Sequence, residues 1–256
     1  PTYENYVLQF EIFIQKITNG GILVFNEDDP EVKRVAEAAT NPIRKIGYST
    51  PKYAVENGVT LLETPEGAMP IEVFGAHNLN NLAGAKWICQ NMGVDEADFY
   101  QAIASFKGAS KRLEKIGESL NKVAYKDFAH SPSKVAATTK AVKEQYPDRT
   151  LIACLELHTY SSLNPEFLKE YEGALDNADI AVVFYSPDAV KIKKLEAITY
   201  EQISQSFRRN DLVIYTNPTD FKSYLFSLNL ENTALLLMSS GNYGGLNFEE
   251  VKALMK

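Results

Sequence analysis

Short apolar segments alternate with helical patterns throughout the second half of the chain. The apolar segments, each predicted to be a buried strand, are 123–128, 151–155, 180–184, 212–215 and 233–238. The helical patterns are 133–145, 165–175, 200–207, 219–228 and 248–255. Strands that alternate with helices form βαβ units, whose strands run parallel and whose crossovers are right-handed. This half of the chain is therefore predicted to be an α/β domain with a mostly parallel sheet.

The first half has a less regular pattern and is predicted to form a separate body. Helical periodicity predicts helices over 4–17, 31–39, 78–91 and 95–106. Apolar runs predict strands at 22–25, 59–63 and 69–74, of which the last two pair around a turn. The pattern breaks at Lys107–Lys111, so the predicted division is 1–107, a hinge at 108–112, and 113–256.

Charge and composition exclude several classes of protein. The 256 residues carry a formal net charge of −7, which argues against a nucleic acid or an acidic membrane surface as partner. No apolar run is long enough to span a bilayer, and no secretion signal is recognisable. Cys89 and Cys154 lie in different segments without metal-ligand spacing, which fits a reducing cytosol. A globular cytoplasmic protein is predicted.

The stretch 73–81, Val-Phe-Gly-Ala-His-Asn-Leu-Asn-Asn, is the strongest candidate for ligand binding in the first half. A predicted strand ends before Gly75, which allows a tight turn, and a helix follows with Asn78 as its predicted N-cap. His77, Asn78 and Asn81 thus stand at the end of a strand, where α/β folds bind ligands. Amide groups both donate and accept hydrogen bonds, as the edge of a nucleobase requires. Helix capping with a hydrogen-bonded histidine is the alternative interpretation.

An acidic cluster, 26–30, follows the first predicted strand. It either holds a cation or forms the turn that begins the next helix, with Pro30 at the first helical position. The turn is the commoner use of such a sequence, and no metal site is predicted.

Polar or glycine-rich segments follow three predicted strands of the second half, at 126–133, 156–162 and 238–245. The carboxyl ends of parallel strands meet at one edge of an open sheet, where its ligand-binding crevice lies. The glycines of the third segment either cradle an anion or allow a tight turn.

Individual side chains in these segments also have two interpretations. His130 and His158 are either functional or structural, hydrogen-bonded histidines. Ser131 and Ser133 could cap the following helix or help to hold a phosphate at its N-terminus. Arg112, after the predicted boundary, could contact a phosphate or ribose, or it could simply be solvated.

Several well-known catalytic motifs are absent from the chain. It contains no Gly-x-x-x-x-Gly-Lys-Ser/Thr, no Gly-x-Gly-x-x-Gly, no Gly-x-Ser-x-Gly and no His-Glu-x-x-His. The residues alone therefore predict a two-part α/β protein with a cleft near 75–81, 108–112 and 126–133, and they define no reaction.

Taken together and in order, these motifs resemble those of the Mur ligase family. The family pattern Gly-x-His-Asn-x-x-Asn matches Gly75, His77, Asn78 and Asn81. The pattern Phe-x-Gly-x-x-x-Arg matches Phe106, Gly108 and Arg112. The pattern Asp-Tyr/Phe-Ala-His-x-Pro matches Asp127, Phe128, Ala129, His130 and Pro132. The resemblance covers nearly the whole chain.

The resemblance implies an ATP-dependent, ADP-forming amide ligase of the cytoplasm. ATP phosphorylates the carboxylate of the acceptor, and the amine of the second substrate then attacks the acyl phosphate. It also implies that the chain holds the C-terminal part of a central ATPase domain, followed by a Rossmann-like C-terminal domain. The phosphate loop and most Mg²⁺ ligands would lie in the rest of the polypeptide, so the chain is expected to be an inactive fragment.

The resemblance also assigns roles to individual residues. His77, Asn78 and Asn81 would bind the nucleotide, with the two asparagines at the adenine. Arg112 and Asp127 would contact the nucleotide as well, and His130 and Ser133 would face the reaction centre. The peptide side would be lined by His158, Ser240, Asn242 and Tyr243.

Within the family, the resemblance is strongest to the branch that recycles peptidoglycan by joining UDP-N-acetylmuramate to L-alanyl-γ-D-glutamyl-meso-diaminopimelate. Residues 238–245, Met-Ser-Ser-Gly-Asn-Tyr-Gly-Gly, carry this resemblance. The alternative is the branch that adds L-alanine to UDP-N-acetylmuramate. That branch has a second histidine where Ser131 stands and arginines in the loop that corresponds to 155–162. A module that binds a nucleotide or peptide without catalysis is a third interpretation.

Overall fold

A computed structural model describes residues 2–256 of the chain. The structure divides into two compact units, one ending at Phe106 and the other beginning at Lys107. No helix within residues 2–256 combines the length and the apolar character that a membrane span needs.

The described part of unit 1, residues 2–106, contains four helices and two small sheets. In chain order its elements are α1 (Tyr3–Gln15), β1 (Ile22–Asn26), α2 (Pro30–Ala38), β2 (Arg44–Tyr48), β3 (Tyr53–Glu56), β4 (Val59–Thr64), β5 (Gly67–Ile71), α3 (Ala76–Asn91) and α4 (Glu96–Ala104). Strands β1 and β2 pair in parallel, whereas β3, β4 and β5 form an antiparallel sheet. The core between this sheet and the helices α3 and α4 is formed by apolar side chains, among them Leu62, Ile71, Leu79, Leu82 and Phe99.

Local sequence explains where two of these helices begin. Helix α2 begins at Pro30, and the Asp29 side chain accepts hydrogen bonds from the first-turn amides, so the acidic cluster forms a helix start. Helix α3 begins at Ala76 because Gly75 has a φ of 85°, which side chains disfavour. The prediction of Asn78 as N-cap was therefore wrong, since Asn78 lies inside the first turn.

Unit 2 is built on one six-stranded sheet flanked by helices. Its elements are β6 (Glu114–Glu118), β7 (Lys122–Asp127), α5 (Pro132–Gln145), β8 (Thr150–Leu157), α6 (Pro165–Leu168), β9 (Ile180–Tyr185), α7 (Pro187–Ile192), α8 (Tyr200–Phe207), β10 (Val213–Tyr215), α9 (Pro218–Ser227), β11 (Thr233–Met238) and α10 (Phe248–Leu254). The strand order is β10-β9-β8-β11-β7-β6, and only the edge pair β6–β7 is antiparallel. The predicted α/β class with a mostly parallel sheet is confirmed.

Burial on both faces explains why the central strands were recognisable. All six residues of β11 and the last seven of β8 are buried, as expected where helices cover both sides of a parallel sheet. At the opposite end of β8 from its polar loop, the Asp179 carboxylate accepts hydrogen bonds from Lys143 Nζ (2.8 Å) and the Leu151 amide (2.7 Å). This interaction joins α5 to the strands β8 and β9.

Candidate functional site

The carboxyl edge of the unit 2 sheet brings the three polar segments together. Met238, the last residue of β11, is in register with Asp127 on one side and with Leu155 on the other. Strand β8 continues to Leu157, which is in register with Tyr185 of β9. The loops that follow β7, β8, β9 and β11 therefore leave the sheet at the same edge, as the topology of an open parallel sheet requires.

A buried carboxylate, Glu156, organises the middle of this edge. Its side chain is 4% exposed, and its Oε2 accepts hydrogen bonds from the Ser239 hydroxyl and from the Tyr243 amide (2.8 Å). The Ser239 oxygen in turn accepts a hydrogen bond from the Gly241 amide at 2.6 Å. Glu156 thus holds the loop after β11 against the end of β8.

Glu156 also approaches His158, the histidine predicted on the peptide side. Glu156 Oε1 lies 3.6 Å from His158 Nδ1. A Cβ on Gly241 would stand 2.9 Å from Glu156 Oε2 and 3.1 Å from His158 Cγ, so only glycine lets the loop pass this close. Sequence reasoning missed the role of Glu156, although a single acidic residue within a buried apolar strand was a visible signal.

The loop after β11 supplies one unsatisfied polar group and one core residue. The Ser240 hydroxyl oxygen is buried and makes no hydrogen bond with any other part of residues 2–256. Such a group in a loop at the ligand edge of a sheet suits a ligand that donates or accepts a hydrogen bond. Asn242 is exposed, and its side-chain oxygen accepts a hydrogen bond from the Gly245 amide at 3.2 Å.

Tyr243 does not face the edge of the sheet. Its side chain is 1% exposed and stacks on Phe221, with ring centroids 5.0 Å apart. Its hydroxyl lies 2.7 Å from the Cys154 carbonyl oxygen and 2.8 Å from that of Met238, and donates to them. Burial raises the pKa of Tyr243 well above its usual value, so the hydroxyl remains a donor. The structure gives this side chain a structural role in place of the predicted contact with substrate.

Asp127, at the end of β7, likewise has a structural partnership. It is 7% exposed, and its two oxygens accept hydrogen bonds from the amides of Leu113 (2.7 Å) and Ala129 (2.6 Å). It therefore ties residue 113, just after the predicted hinge, to the loop that carries His130. A direct contact with a nucleotide would compete with these two bonds.

His130 is held in one orientation by its neighbours. Its Nδ1 lies 2.8 Å from the Phe128 carbonyl oxygen, and because a carbonyl can only accept, Nδ1 carries the proton. The Tyr171 hydroxyl donates to the His130 carbonyl oxygen, so the backbone is fixed as well. This tautomer leaves Nε2 as a hydrogen-bond acceptor.

Arg112 and the two serines lie around this histidine. The Arg112 guanidinium is 5.6 Å from the centre of the Phe128 ring, which contacts the His130 ring edge to face at 5.2 Å. Ser131 is the N-cap residue of α5, but its side chain makes no capping hydrogen bond. Ser133 lies in the first turn of α5 and is exposed. The capping interpretation of these serines therefore has no side-chain bond to support it.

The predicted nucleotide residues of unit 1 have different environments. The Asn78 amide donates to the Phe74 carbonyl oxygen at 2.9 Å, whereas Asn81 is exposed and His77 is half-buried. The neighbouring Asn80, which was not predicted, donates to Asp28 at 3.0 Å and so joins α3 to the loop after β1. This polar contact could not be anticipated without knowing where α3 begins.

Unit 1 also contains a cavity of about 210 Å³ beside α3. Tyr48, Lys86, Trp87 and Tyr100 are among the residues that line it, and His77, Asn78 and Asn81 are not. Lys86 is paired with Glu96 at 2.8 Å. Within the described part of the chain, no three or more histidine, cysteine, aspartate or glutamate side chains are grouped so that they could hold a metal ion.

An open, mostly parallel sheet with polar loops at its carboxyl edge is the architecture of a Mur ligase C-terminal domain. MurF from Acinetobacter baumannii has a similar fold, with a TM-score of 0.70 over 96% of this chain and 53% of that chain, at 14% identity. The murein peptide ligase of Psychrobacter arcticus gives a TM-score of 0.62 over 99% of this chain and 55% of that chain, at 18% identity.

The sequence comparison finds relatives with names of the same kind. The chain is 26% identical over 242 residues to the UDP-N-acetylmuramate–L-alanine ligase of Sulfurihydrogenibium sp. (strain YO3AOP1), covering 91% of this chain and 53% of that protein. No family model matches the chain. The chain is thus similar to Mur ligases in fold and in sequence, and it spans about half the length of the curated relatives it matches.

Proposed function

We propose that this chain is the nucleotide- and peptide-binding part of a cytoplasmic, ATP-dependent ligase of peptidoglycan recycling. The reaction joins UDP-N-acetylmuramate to L-alanyl-γ-D-glutamyl-meso-diaminopimelate. The observation that carries this proposal is the gathering of His130, His158 and the 238–245 loop at one edge of the unit 2 sheet. The division near residue 107, with 108–112 as a hinge between two moving bodies, is part of the same proposal.

The chain's own residues would contribute mainly by positioning. Asn81, whose amide is exposed, would bind the adenine edge, while Asn78 would hold the start of α3 in place. Arg112 would place a positive charge beside the phosphates, and Asp127 would fix the loop that carries it. Bound ATP would supply the phosphoryl group that activates the acceptor carboxylate. The phosphate loop belongs to the rest of the polypeptide in this proposal.

His130 has the geometry that a reaction centre needs. With its proton fixed on Nδ1, the Nε2 atom can accept a hydrogen bond or a proton from the attacking amine. Ser133, exposed in the first turn of α5, would bind an anionic group at the N-terminus of that helix. The role of both residues rests on the resemblance and on this local geometry.

A peptide substrate is favoured over L-alanine by the loop after β8. The segment 156–162 contains no arginine and carries a single acidic side chain, Glu156, which is turned into the protein. The loop after β11 offers the unpaired hydroxyl of Ser240 and the exposed amide of Asn242. These polar groups are suited to a longer, hydrogen-bonded ligand, and a site built for such a ligand can strongly reject a truncated one.

Addition of L-alanine to UDP-N-acetylmuramate is the second candidate. The observation that favours it is that the curated relatives, at 26–29% identity, are named UDP-N-acetylmuramate–L-alanine ligases. A module that binds without catalysis would be favoured if the gene upstream of residue 1 encoded no Gly-x-x-x-x-Gly-Lys-Thr/Ser.

Side-by-side kinetics would test the proposal. The polypeptide from the complete reading frame is assayed for phosphate release with ATP, UDP-N-acetylmuramate and either the tripeptide or L-alanine. We expect kcat/KM to be higher for the tripeptide, and we expect the 256-residue chain alone to release no phosphate above background. A preference for L-alanine would establish the second candidate, and turnover by the chain alone would refute the assignment of the phosphate loop to another segment.

A further inference from the structure

A segment with three lysines lies beside the loop that carries His158. Helix α7 follows β9, the parallel neighbour of β8, so residues 186–199 and 158–164 leave the sheet at the same edge. The segment after α7 is anchored, because the Tyr185 hydroxyl donates to the Ile198 carbonyl oxygen at 2.9 Å. The backbone amides of Lys193 and Lys194 also donate to the carbonyl oxygens of Ala189 and Lys191, so the backbone at both lysines continues the last turn of α7.

One of these lysines is held on an exposed aromatic ring. Tyr160 is 63% exposed, and Lys193 Nζ lies 4.7 Å from the centre of its ring. A cation over the face of an aromatic ring is attracted by the ring quadrupole. This contact restricts the lysine and joins it to the loop two residues beyond His158.

The lysine has no carboxylate partner to neutralise it. Lys191 pairs with Asp188 at 3.4 Å, but within residues 2–256 no carboxylate lies within 4.0 Å of Lys193 or Lys194. The chain as a whole is acidic, with a net charge of −7. Lys193 and Lys194 are thus two cations without a carboxylate partner in the segment after β9, and they suit a ligand that carries carboxylates.

Negative and positive side chains occupy different positions at the carboxyl edge of the unit 2 sheet. The carboxylate of Glu156 lies on the inner side of His158, while the ammonium of Lys193 lies at the Tyr160 ring. Residues 158 and 160 are at most about 7 Å apart along the chain, and an extended tripeptide is about 10 Å long. A peptide that runs past His158 is therefore long enough to place a distal carboxylate beside Tyr160.

We propose that Lys193, held on the Tyr160 ring, binds a carboxylate of the incoming peptide and so determines the choice of a carboxylate-rich peptide over a single amino acid. This inference rests on the proposed function. In it, Lys193 is the residue that binds the end of the peptide farthest from the attacking amine. The lysine acts as a point charge towards the carboxylate, whereas the tyrosine positions the lysine.

Ligand-observed NMR on the 256-residue chain would test this inference. The probes are L-alanyl-γ-D-glutamyl-meso-diaminopimelate, the same peptide with its diaminopimelate carboxylates amidated, and L-alanine. We expect Lys193→Ala to weaken binding of the free-acid peptide about tenfold, as loss of a charge-assisted hydrogen bond does. Lys193→Arg should retain binding within about threefold, and Tyr160→Leu should lie between them, because the ring only positions the cation.

Lys191→Ala is the matched control, because it removes the same charge from the same segment but from a lysine that is already paired. It should leave the Kd of the peptide within about twofold. The parent chain should bind the amidated peptide as weakly as Lys193→Ala binds the free-acid peptide. The substitution Lys193→Ala should not weaken binding of the amidated peptide any further.

Each outcome separates this inference from the proposed function. If the parent chain binds the peptide but Lys193→Ala binds it equally well, the inference is refuted and the proposed function stands. An equal loss in Lys191→Ala would reveal only a general positive field, which also refutes the assignment to Lys193. If the parent chain shows no saturable binding of the peptide, or prefers L-alanine, the peptide substrate is refuted and this inference with it.

Discussion

Replacing Tyr243 separates a structural role from a ligand-binding role in the loop after β11. The hydroxyl donates to two carbonyl oxygens, those of Cys154 and Met238, inside a core that excludes water. Tyr243→Phe removes the donor and leaves both carbonyls without this partner. A net hydrogen bond is worth roughly 0.5–1.5 kcal/mol, and stranded buried partners add to the loss. We therefore expect Tyr243→Phe to lower the free energy of unfolding of unit 2 by about 1–2 kcal/mol.

Tyr243→Ala should cost more, because it also removes the ring. That ring stacks on Phe221 at 5.0 Å and lies 6.0 Å from Phe184, and the side chain is 1% exposed. Truncating a fully buried aromatic side chain to alanine typically costs about 3–5 kcal/mol. The two variants thus give a graded series in which the hydroxyl and the ring contribute separately.

Urea unfolding followed by far-ultraviolet circular dichroism would measure both losses. Trp87, the single tryptophan of the chain, lies in α3. Its fluorescence therefore reports the unfolding of unit 1 in the same samples. Peptide binding by Tyr243→Phe under native conditions should stay within about twofold of the parent. The reasoning fails if Tyr243→Phe is as stable as the parent, or if it binds peptide tenfold more weakly while it stays folded.

Two further predictions concern buried or paired groups elsewhere. Burial raises the pKa of the Cys154 thiol to about 12, so a thiol reagent at pH 8 should modify Cys89 in the native chain and Cys154 only after unfolding; rapid modification of two thiols in the native chain would contradict this. Burial favours the neutral form of Asp179, but its hydrogen bonds with Lys143 and the Leu151 amide outweigh burial and lower the pKa of this carboxyl below its usual 3.8. The ionised carboxylate therefore stabilises the fold above pH 3.8, and this stabilisation is lost as the pH falls through the lower, folded-state pKa. Asp179→Asn should therefore lower the Tm at pH 7 and lose less Tm than the parent on acidification, and an unchanged Tm at pH 7 would contradict this.

The sequence predicted the long, strongly patterned elements well. Helix α8 and strand β11 have the predicted bounds, and the other main strands of unit 2 differ by one or two residues at their ends. These segments are either buried on both faces or amphipathic, so the hydrophobic pattern alone identifies them. The prediction of helix 165–175 was too long, since α6 ends at Leu168 and a short 3-10 turn follows.

The elements that the sequence analysis missed are short and weakly apolar. Strand β6 includes charged residues at both ends, and β2 and β3 have four or five residues with few apolar side chains. They are strands because neighbouring strands pair with them, and this depends on contacts that are distant in sequence. Helix α7 has only six residues, so its periodicity is weak, although Ser186 as N-cap and Pro187 at the first helical position are a local start signal.

The candidate site was predictable as a place but only in part as a set of contacts. The sequence predicted that the loops of His130 and His158 leave the sheet at the same edge, and the strand register confirms this arrangement. Whether a side chain such as Tyr243 faces the ligand or the core depends on the path of the loop, which has a φ of 54° at that residue. Glu156 was overlooked because its importance comes from partners more than 80 residues away.

The position of β11 has a consequence for how the protein is made. This strand lies between β8 and β7, yet it is synthesised after the other five strands of this sheet and more than 100 residues after β7. At about 5–20 residues per second, a ribosome leaves β7 without its parallel neighbour for roughly 5–20 seconds. During this interval β7 and β8 both expose apolar strand edges, which are prone to aggregation. Premature termination before Thr233 would leave the strands of this sheet in two separate groups, β10-β9-β8 and β7-β6, each with an unpaired apolar edge.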